Sequence, residues 1–393
     1  MADLPVDMLG GQTPLQAAKK PNMDKLASES IVGLVKTIPD GMPAGSDVGN
    51  LSILGYDPRK YFTGRSPLEA VGIGIKLDPA DVAFRCNFVT LSDENDFNDA
   101  AMVDYSAGEI STAEASELIG YLNKHFQTDA LKFYTGVSYR HCLVLKDART
   151  GTNLTPPHDI SGQKIGAHLP KGQNGGLLLE LMKKAYTLLK DHPVNLERVA
   201  AGKHPANCVW LWGEGRKAQL PSFREKYGLK GAVISAVDLI KGIGLCADMR
   251  IINVEGATGN IDTNFDGKAQ AAIDALKNGD DFVFIHVEAP DECGHRFEAE
   301  NKVKAIELID EKVVGPVWEA LRNSGGDYSL LLLPDHFTLL ANGKHDATPV
   351  PFALYKSNGA KQSGAARYDE ESCKASGLLI EDGYTLINRL FGR

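Results

Sequence analysis

Two apolar runs in the last third of the sequence constrain the fold of this chain more than any other feature. The first, at 281–295, reads Asp-Phe-Val-Phe-Ile-His-Val-Glu-Ala-Pro-Asp-Glu-Cys-Gly-His, and the second, at 330–336, reads Leu-Leu-Leu-Leu-Pro-Asp-His. Each run is typical of a strand buried on both faces, and after a proline each delivers an Asp within four residues of a His. We therefore predict two parallel strands whose carboxyl ends point at one place, where open α/β sheets bind their ligands.

The polar residues that follow these runs predict a metal site. Five side chains form a mixed carboxylate and imidazole set: Asp291, His295, Asp335, His336 and His345. Such a set suits two divalent cations better than one structural zinc. Cys293 is the only thiol nearby, and it has no partner at the spacing of metal ligands.

Length, charge and cysteine usage limit the class of protein. A chain of 393 residues predicts two or three domains, or one large α/β core with an insertion. The net charge of −9, without a run of Lys or Arg, argues against a nucleic-acid partner. No stretch is apolar and long enough to cross a membrane, and the acidic N-terminus does not match a signal peptide. Six scattered cysteines without a CxxC pair predict a cytoplasmic location.

The order of predicted elements indicates a discontinuous α/β core with an insertion. Strands at 83–90 and 139–146, with a helix at 113–126 between them, predict a separate α+β domain over 81–180. A buried strand at 207–216 is predicted to return the chain to the core. From residue 231 onwards strands and helices alternate, which favours a mostly parallel sheet covered by helices on both faces. The predicted core therefore comprises residues 1–80 and 181–393.

A loop rich in glycine and proline at 39–45 leads into a helix that is predicted to begin near Ser46. A hydroxyl at this position lies in the positive field of the helix dipole, among free backbone N–H groups. That environment suits phosphate binding and a lowered pKa of the hydroxyl. An ordinary N-cap explains Ser46 and Asp47 equally well, and the two interpretations are compatible.

The predicted insertion contains polar residues that could contact an anionic substrate: Arg85, Arg140, His141, His158 and Asp159. Taken singly, each is typical of a surface or structural polar group. A cap that closes over an anion would need some of these arginines, because the guanidinium group matches carboxylate and phosphate in a bidentate manner.

Several motifs together resemble the archaeal-type cofactor-independent phosphoglycerate mutases of the alkaline phosphatase superfamily. They are the loop Gly-Ser-Asp-Val-Gly-Asn-Leu-Ser at 45–52, the leader Gly-Ala-Thr-Gly-Asn-Ile-Asp-Thr-Asn at 256–264, the pair Asp291 and His295, the Pro-Asp-His step at 334–336, and Gly-Lys-His at 343–345. Each motif is weak alone, but all occur in the right order. The likeness runs from Met1 to the C-terminus.

The resemblance implies an alkaline-phosphatase-like core with a mobile inserted cap, and a two-metal mechanism that interconverts 3-phosphoglycerate and 2-phosphoglycerate through a phosphoserine. Ser46 would be the nucleophile. Asp291, His295 and His345 would hold one ion; Asp335, His336 and Ser46 would hold the second. The ions would be Mn²⁺, with Mg²⁺, Zn²⁺ or Co²⁺ as alternatives. Arg216 and Lys241 would surround the transferring phosphoryl group, and Arg140, His158 and Asp159 would contact the small phosphorylated acid.

One departure from the family pattern concerns the start of the chain. Family members open with an apolar strand that ends in Asp-Gly just ahead of the position of Met1, and that Asp is a ligand of the second metal. Asp3 lies too late to replace it. Either the start site is assigned too far downstream, which we favour, or the chain is a degenerate member. Without the strand we expect lower stability and weak binding of the second metal.

Other functions share the same metal site. A homoserine kinase, a phosphomonoesterase and a phosphopentomutase would differ mainly in the cap, and the absence of a Walker-type loop argues against an ATP-dependent kinase. A non-catalytic binding protein that has lost its second metal is the alternative from a different class.

Overall fold

The computed structural model describes residues 1–359 and 365–393. Two compact units divide the chain. The first comprises Met1–Phe62 and Leu220–Arg393, and the second comprises Thr63–Gln219. Within the described residues, no helix combines the length and the apolar character that a membrane span requires.

The strands of the described chain are numbered in sequence order: β1 Ile31–Val35, β2 Val82–Leu91, β3 Met102–Asp104, β4 Leu131–Val137, β5 Arg140–Leu145, β6 Thr152–Asn153, β7 Lys171–Gly172, β8 Cys208–Arg216, β9 Gly231–Ile234, β10 Arg250–Ile252, β11 Phe282–Ile285, β12 Ser329–Leu332, β13 Phe337–Leu339, β14 Lys344–Asp346, β15 Val350–Lys356 and β16 Leu379–Ile380.

The α-helices are numbered in the same way: α1 Pro14–Ala17, α2 Pro21–Ser28, α3 Ser46–Ile53, α4 Pro58–Tyr61, α5 Arg65–Gly72, α6 Thr112–Phe126, α7 Gly175–Lys190, α8 Pro193–Ala200, α9 Phe223–Tyr227, α10 Asp238–Cys246, α11 Phe265–Lys277, α12 Ala289–His295, α13 Ala299–Ile309, α14 Gly315–Arg322, α15 Glu370–Lys374 and α16 Leu386–Leu390. A π-helical turn at Asp310–Val314 joins α13 to α14.

The strands of the first unit form two main sheets where the sequence predicts one. Strands β10, β9 and β11 are all parallel, in that order. The second sheet has the order β12-β15-β1-β16, and β15 runs antiparallel to both of its neighbours. Helix α11 packs on β9 and β11, while α10 packs on β9, β10 and α3. The unit is therefore α/β as predicted, with a more mixed strand order.

Strands β11 and β12 are edge strands, one in each sheet. Among the described residues β11 pairs with β9 alone and β12 pairs with β15 alone. Every residue of both strands is only half-buried. The prediction of burial on both faces is wrong for these runs, because no strand of the described chain covers their outer edges.

The carboxyl ends of β11 and β12 nevertheless meet. His286 follows β11, and Asp335 lies three residues beyond the end of β12. Burial lowers the pKa of His286 to about 4, and the nearby Asp335 carboxylate opposes that shift. The two strands thus deliver their polar residues to one place, as the sequence predicts.

The second unit is built on an antiparallel sheet of order β3-β2-β5-β4, with β8 paired along the other side of β2. The pairing of β8 runs from Val89 opposite Cys208 to Val82 opposite Arg216. Strand β8 therefore completes this sheet, and the prediction that 207–216 returns the chain to the core is wrong.

The same pairing moves the domain boundaries. Residues 63–80 and 181–219 belong to the second unit, although the sequence pattern predicts that they are part of the core. Helix α5 packs on β2 and β8, and α7 packs on β8. A buried cluster that includes Phe84, Phe88 and Trp210 forms the centre of this unit. Periodicity along the sequence identifies a strand but does not identify the strand that pairs with it.

Candidate active site

Ser46 is the first residue of α3. Gly45 occupies the N-cap position with an extended backbone, and no side chain caps the helix there. Ser46 is buried, and its Oγ lies 3.0 Å from Nε2 of His336. The side chain of Ser46 is therefore directed at His336 rather than at the backbone of its own helix.

The tautomer of His336 follows from its second contact. Nδ1 of His336 lies 3.1 Å from the carbonyl oxygen of Phe337. A carbonyl oxygen only accepts, so Nδ1 carries the proton and Nε2 presents its lone pair to Ser46. Burial lowers the pKa of His336, which keeps the imidazole neutral. A neutral imidazole with a free Nε2 can accept a proton or bind a metal ion.

Asp335 lies beside the same pair. Its Oδ2 is 3.4 Å from Nε2 of His336. The Nδ2 group of Asn50, one turn into α3, donates to this oxygen at 2.9 Å and to the carbonyl oxygen of Ser46 at 2.8 Å. Burial raises the pKa of Asp335, but His336 and His286 outweigh that effect and hold it below its usual value. The carboxylate is therefore ionised at neutral pH.

Asp291, His295 and His345 form a second group. Nε2 of His295 lies 3.1 Å from Oδ2 of Asp291 and 2.9 Å from Nε2 of His345. Nε2 of His345 lies 3.3 Å from Oδ1 of Asp291. The three possible ligand atoms all lie within 4.8 Å of one another. Nδ1 of His295 donates to the carbonyl oxygen of Gly343 at 2.7 Å, which orients Nε2 of the same ring towards Asp291 and His345.

The local elements explain this convergence. Asp291 and His295 are four residues apart on α12, so they lie on one face of the helix. His345 lies on β14, which pairs with β13 and returns the chain to the loop that holds Asp335 and His336. The ring centroids of His336 and His345 are 3.8 Å apart. All five predicted ligands and Ser46 therefore converge in the first unit.

The donor set fits divalent cations. One group offers a carboxylate and two imidazoles, and the other offers a carboxylate, an imidazole and a hydroxyl. In the first group two imidazole nitrogens and a carboxylate face one another at close range, an arrangement that a cation between them would stabilise. Burial raises the pKa of Asp291, but contacts with His295 and His345 outweigh it and lower the pKa well below its usual value. The Asp291 carboxylate is therefore in the ionised form that binds metal. The same carboxylate raises the pKa of His295 to about 9, so a bound ion would displace a proton from that imidazole.

Several residues around the site were not predicted. Asn50 orients Asp335, and the Oγ1 of Thr338 donates to Oδ1 of Asp291. Nδ1 of His286 lies 3.1 Å from the hydroxyl of Ser235. Nζ of Lys268 donates to the backbone carbonyl oxygen of His286 at 3.2 Å. The sequence offered one indication of a role for two of them: His286 ends a predicted strand, and Asn50 lies one turn beyond Ser46. That position does not show which residue each side chain contacts.

Asp3 has a structural partner instead of a place among these groups. Its Oδ2 accepts from Nζ of Lys302 at 2.7 Å and from the backbone N–H of Leu340 at 3.1 Å. Both side chains of the ion pair are buried. The pair ties the start of the chain to α13 and to the residue that follows β13, so Asp3 has a structural role.

The two predicted cationic groups lie in different units. Lys241 is on α10, which packs against α3, and its Nζ lies 3.6 Å from Oδ1 of Asp238. Arg216 is the last residue of β8 in the second unit, where it donates to the carbonyl oxygen of Ala148. Its Nε is buried and has no hydrogen-bond partner among the described residues.

A cationic cluster occupies one part of the second unit. Arg65 and Arg85 both contact Glu69, at 2.7 and 2.9 Å. The charges of Arg85, Arg65 and Arg140 outweigh burial and lower the pKa of Glu69. His158 lies near this cluster. Burial lowers the pKa of His158, and the charges of Arg85 and Arg65 lower it further. Three cations around one carboxylate leave a surplus of positive charge that suits an anion.

The predicted substrate residues lie in this region at the surface. Arg140 is exposed, with its guanidinium 5.5 Å from the ring centroid of Tyr139. Half of the His158 side chain is exposed, and its ring packs edge-on against Trp212 with centroids 5.4 Å apart. Asp159 is exposed beside it, with Oδ1 3.7 Å from Nε2 of His158.

Comparison with curated proteins identifies relatives that match along the whole of this chain. A probable 2,3-bisphosphoglycerate-independent phosphoglycerate mutase from Geobacter sulfurreducens is 50% identical over 393 residues, which is 100% of this chain and 98% of that protein. The 2,3-bisphosphoglycerate-independent phosphoglycerate mutase of Methanosarcina barkeri is 49% identical over 391 residues, covering 99% of this chain and 96% of that protein.

Family and structural comparisons agree with these relatives. Residues 27–195 match the family model described as 2,3-bisphosphoglycerate-independent phosphoglycerate mutase. A solved structure of a protein from Pyrococcus horikoshii has a TM-score of 0.82 and 29% identity, covering 100% of this chain and 94% of that one. The cofactor-independent phosphoglycerate mutase of Thermoplasma acidophilum has a TM-score of 0.65 and 26% identity, covering 100% and 96%. With relatives this similar over its whole length, the chain belongs to the family of 2,3-bisphosphoglycerate-independent phosphoglycerate mutases.

Proposed function

We propose that this protein is a metal-dependent isomerase that interconverts 3-phosphoglycerate and 2-phosphoglycerate through a phosphoserine on Ser46. One observation carries the proposal beyond family membership. The buried Oγ of Ser46 lies 3.0 Å from Nε2 of His336, at the edge of a group of ionised carboxylates and imidazoles. An acidic phosphorylated substrate would otherwise be repelled by Asp291 and Asp335, so cations are needed to bind it.

Two divalent ions are assigned to the site. Asp291, His295 and His345 would hold the first, and Asp335, His336 and Ser46 would hold the second. Mixed oxygen and nitrogen ligands suit Mn²⁺, with Mg²⁺, Zn²⁺ or Co²⁺ as alternatives. Two such ions would lower the pKa of the Ser46 hydroxyl and neutralise the charge of the phosphoryl oxygens.

The residues of the chain account for the transfer itself. The hydroxyl of Ser46 gives up its proton and its Oγ forms a bond to phosphorus, while the bond from phosphorus to O3 of the substrate breaks and O3 takes up a proton. The phosphoryl group then stays on the protein and glycerate stays bound. The 2-hydroxyl of glycerate next gives up its proton and attacks the same phosphorus, and the bond to Ser46 breaks as Oγ takes up a proton. Exclusion of water between the two steps prevents hydrolysis of the phosphoserine. Lys241 and Arg216 are assigned to the charge of the transferring phosphoryl group.

Recognition of the glycerate moiety is assigned to Arg140, His158 and Asp159 in the second unit. The guanidinium fork of Arg140 suits the substrate carboxylate, and the imidazole and carboxylate groups suit its hydroxyls. Arg65 and Arg85 support this assignment, because they add positive charge at the same place.

Replacing Arg140 with alanine is expected to raise KM for 3-phosphoglycerate about 10- to 100-fold, with a smaller change in kcat, because a charge-assisted hydrogen bond to the bound substrate is lost. Lys132→Ala is the matched control. Lys132 is also exposed on a neighbouring strand, with its Nζ 5.0 Å from the ring centroid of Tyr134. Steady-state kinetics measures both constants. Equal KM values for the two variants would contradict the assignment.

The alternative functions are not favoured, since the full-length relatives are named as mutases. A direct assay separates them. Purified protein is incubated with 3-phosphoglycerate and Mn²⁺ without added 2,3-bisphosphoglycerate, and in parallel with homoserine and ATP. We expect turnover of 3-phosphoglycerate that a chelator abolishes and Mn²⁺ restores, and none with homoserine. Turnover of 3-phosphoglycerate that continues in the presence of the chelator would contradict a metal-dependent mechanism.

A further inference from the structure

Phe297 adopts a backbone conformation that is unusual for a large side chain. Its φ is 61°, in the left-handed region that favours glycine. Five other non-glycine residues of the described chain have positive φ, and Phe297 is the only aromatic residue among the six. Phe297 is 57% exposed, so burial of the ring compensates little of the strain. Packing in the core therefore does not account for a phenylalanine at this position.

Phe297 closes α12, the helix that carries two of the proposed metal ligands. Its backbone N–H donates to the carbonyl oxygen of Gly294 at 3.1 Å, and the N–H of Glu298 donates to that of Cys293 at 2.9 Å. These two bonds form a Schellman motif, in which the residue in the left-handed conformation is usually glycine. The end of the helix thus explains the left-handed backbone but does not explain the phenyl ring.

The ring packs against the turn between β13 and β14. A Cβ atom placed on Gly343 would lie 3.0 Å from Cζ of Phe297 and 3.2 Å from the backbone carbonyl oxygen of His295. The tip of the ring therefore lies against the backbone of Gly343, without space for a side chain between them. Gly343 is also left-handed, with a φ of 65°. Two left-handed residues thus form one contact between the end of α12 and this turn.

Gly343 orients a proposed metal ligand. Its carbonyl oxygen accepts from Nδ1 of His295 at 2.7 Å, and His345 follows two residues later on β14. A displacement of Gly343 would move this carbonyl group, and with it the ring whose Nε2 faces Asp291 and His345. Hydrogen-bond partners of this kind orient the ligands of a metal ion and strengthen its binding.

We propose that Phe297 is a positioning residue for the first metal ion. Its ring holds Gly343 in place, and the carbonyl group of Gly343 in turn holds the imidazole of His295. Strain at a left-handed residue persists where the surrounding structure maintains it for function. The inference rests on the proposed assignment of an ion to Asp291, His295 and His345.

Phe297→Gly distinguishes this role from ordinary packing, because stability and metal binding should change in opposite directions. Glycine relieves the strain, so the thermal unfolding midpoint of the metal-free protein should stay the same or rise by about 1–3 °C. The dissociation constant of the first Mn²⁺ ion should nevertheless rise about 10-fold. Calorimetry measures the midpoint, and electron paramagnetic resonance of free Mn²⁺ during a titration measures the constant. The Asp291→Asn variant, which lacks a proposed ligand, identifies the first ion in the titration.

Asp248→Gly is the matched control. Asp248 is exposed, has a φ of 55° and follows α10 in the same way that Phe297 follows α12. The same pair of backbone hydrogen bonds closes that helix, at 3.1 and 2.9 Å. This variant should gain stability to a similar extent and should bind Mn²⁺ as the unaltered chain does.

A double-mutant cycle tests whether the ring acts through Gly343. Gly343→Ala places a methyl group against the ring and should raise the same dissociation constant about 10-fold or more. In the Phe297→Gly background the ring is absent, so the same substitution should raise the constant only about threefold or less. The two effects are then not additive.

Three results would overturn the proposal. They are an unchanged dissociation constant in Phe297→Gly, additive effects of the two substitutions, and a lowered midpoint in Phe297→Gly, which would make the ring an ordinary packing group. If Asp291→Asn binds as much Mn²⁺ as the unaltered chain, the assignment of the first ion fails, and this proposal fails with it. The mutase assay tests the proposed activity separately.

Discussion

Ser46→Ala is expected to lower kcat for 3-phosphoglycerate by about 10⁴-fold or more, because the hydroxyl that is proposed to accept the phosphoryl group is removed. The phosphoenzyme should disappear with it. Incubation with radiolabelled 3-phosphoglycerate, followed by denaturation, measures the label that stays bound to protein. The fold should survive. Among the described residues, the Oγ of Ser46 makes a hydrogen bond to His336 only, and losing that bond lowers the free energy of unfolding by about 1 kcal/mol.

Ser52→Ala is the matched control for this variant. Ser52 lies on the same helix, α3, and its Oγ donates to the carbonyl oxygen of Thr37. We expect this change to cost some stability while the phosphoenzyme still forms. Retained turnover in Ser46→Ala, or loss of the label in both variants, would contradict the assignment of Ser46 as nucleophile.

Asp291→Asn is expected to remove about one metal ion per chain and to lower kcat/KM at least about 100-fold. The carboxylate lies between His295 and His345 and keeps its charge at neutral pH. An amide offers one oxygen ligand, which is weaker because it is uncharged. Its NH₂ group replaces the second carboxylate oxygen and cannot bind a metal ion. Elemental analysis of the purified protein measures the ions per chain.

Glu292→Gln is the control, because Glu292 follows on the same helix and pairs with Arg296 at 3.1 Å. It removes one negative charge near the site without removing a proposed ligand. We expect unchanged metal content and nearly unchanged activity. An Asp291→Asn protein with the full metal content of the unaltered chain would show that the first group does not hold an ion.

The convergence of the site residues could be predicted because it depends on local patterns. An apolar run that ends at a proline places the following Asp and His at a strand end, whichever neighbours the strand has. The i,i+4 spacing of Asp291 and His295 fixes their common helical face in the same way. The position of Ser46 at the start of α3 followed from a glycine-rich loop and helix-forming residues after it.

The pairing of the strands could not be predicted in the same way. Strand β8 has the composition of a core strand, yet it pairs along β2, more than a hundred residues earlier in the chain. Helix α7 and the intervening turns bring it back there, and that choice depends on the total apolar surface buried between distant segments. Because β8 pairs with β2, the second unit ends at Gln219 rather than at the predicted residue 180.

Sequence by itself determined the residue types of the site, their places at strand and helix ends, and an α/β architecture, because these depend on spacing within short segments. The three-dimensional structure alone decided which atoms meet: the 3.0 Å contact of Ser46 with His336, the support of Asp335 by Asn50, and the open edges of β11 and β12. Contacts between residues far apart in sequence depend on packing of the whole unit, and no short pattern specifies them.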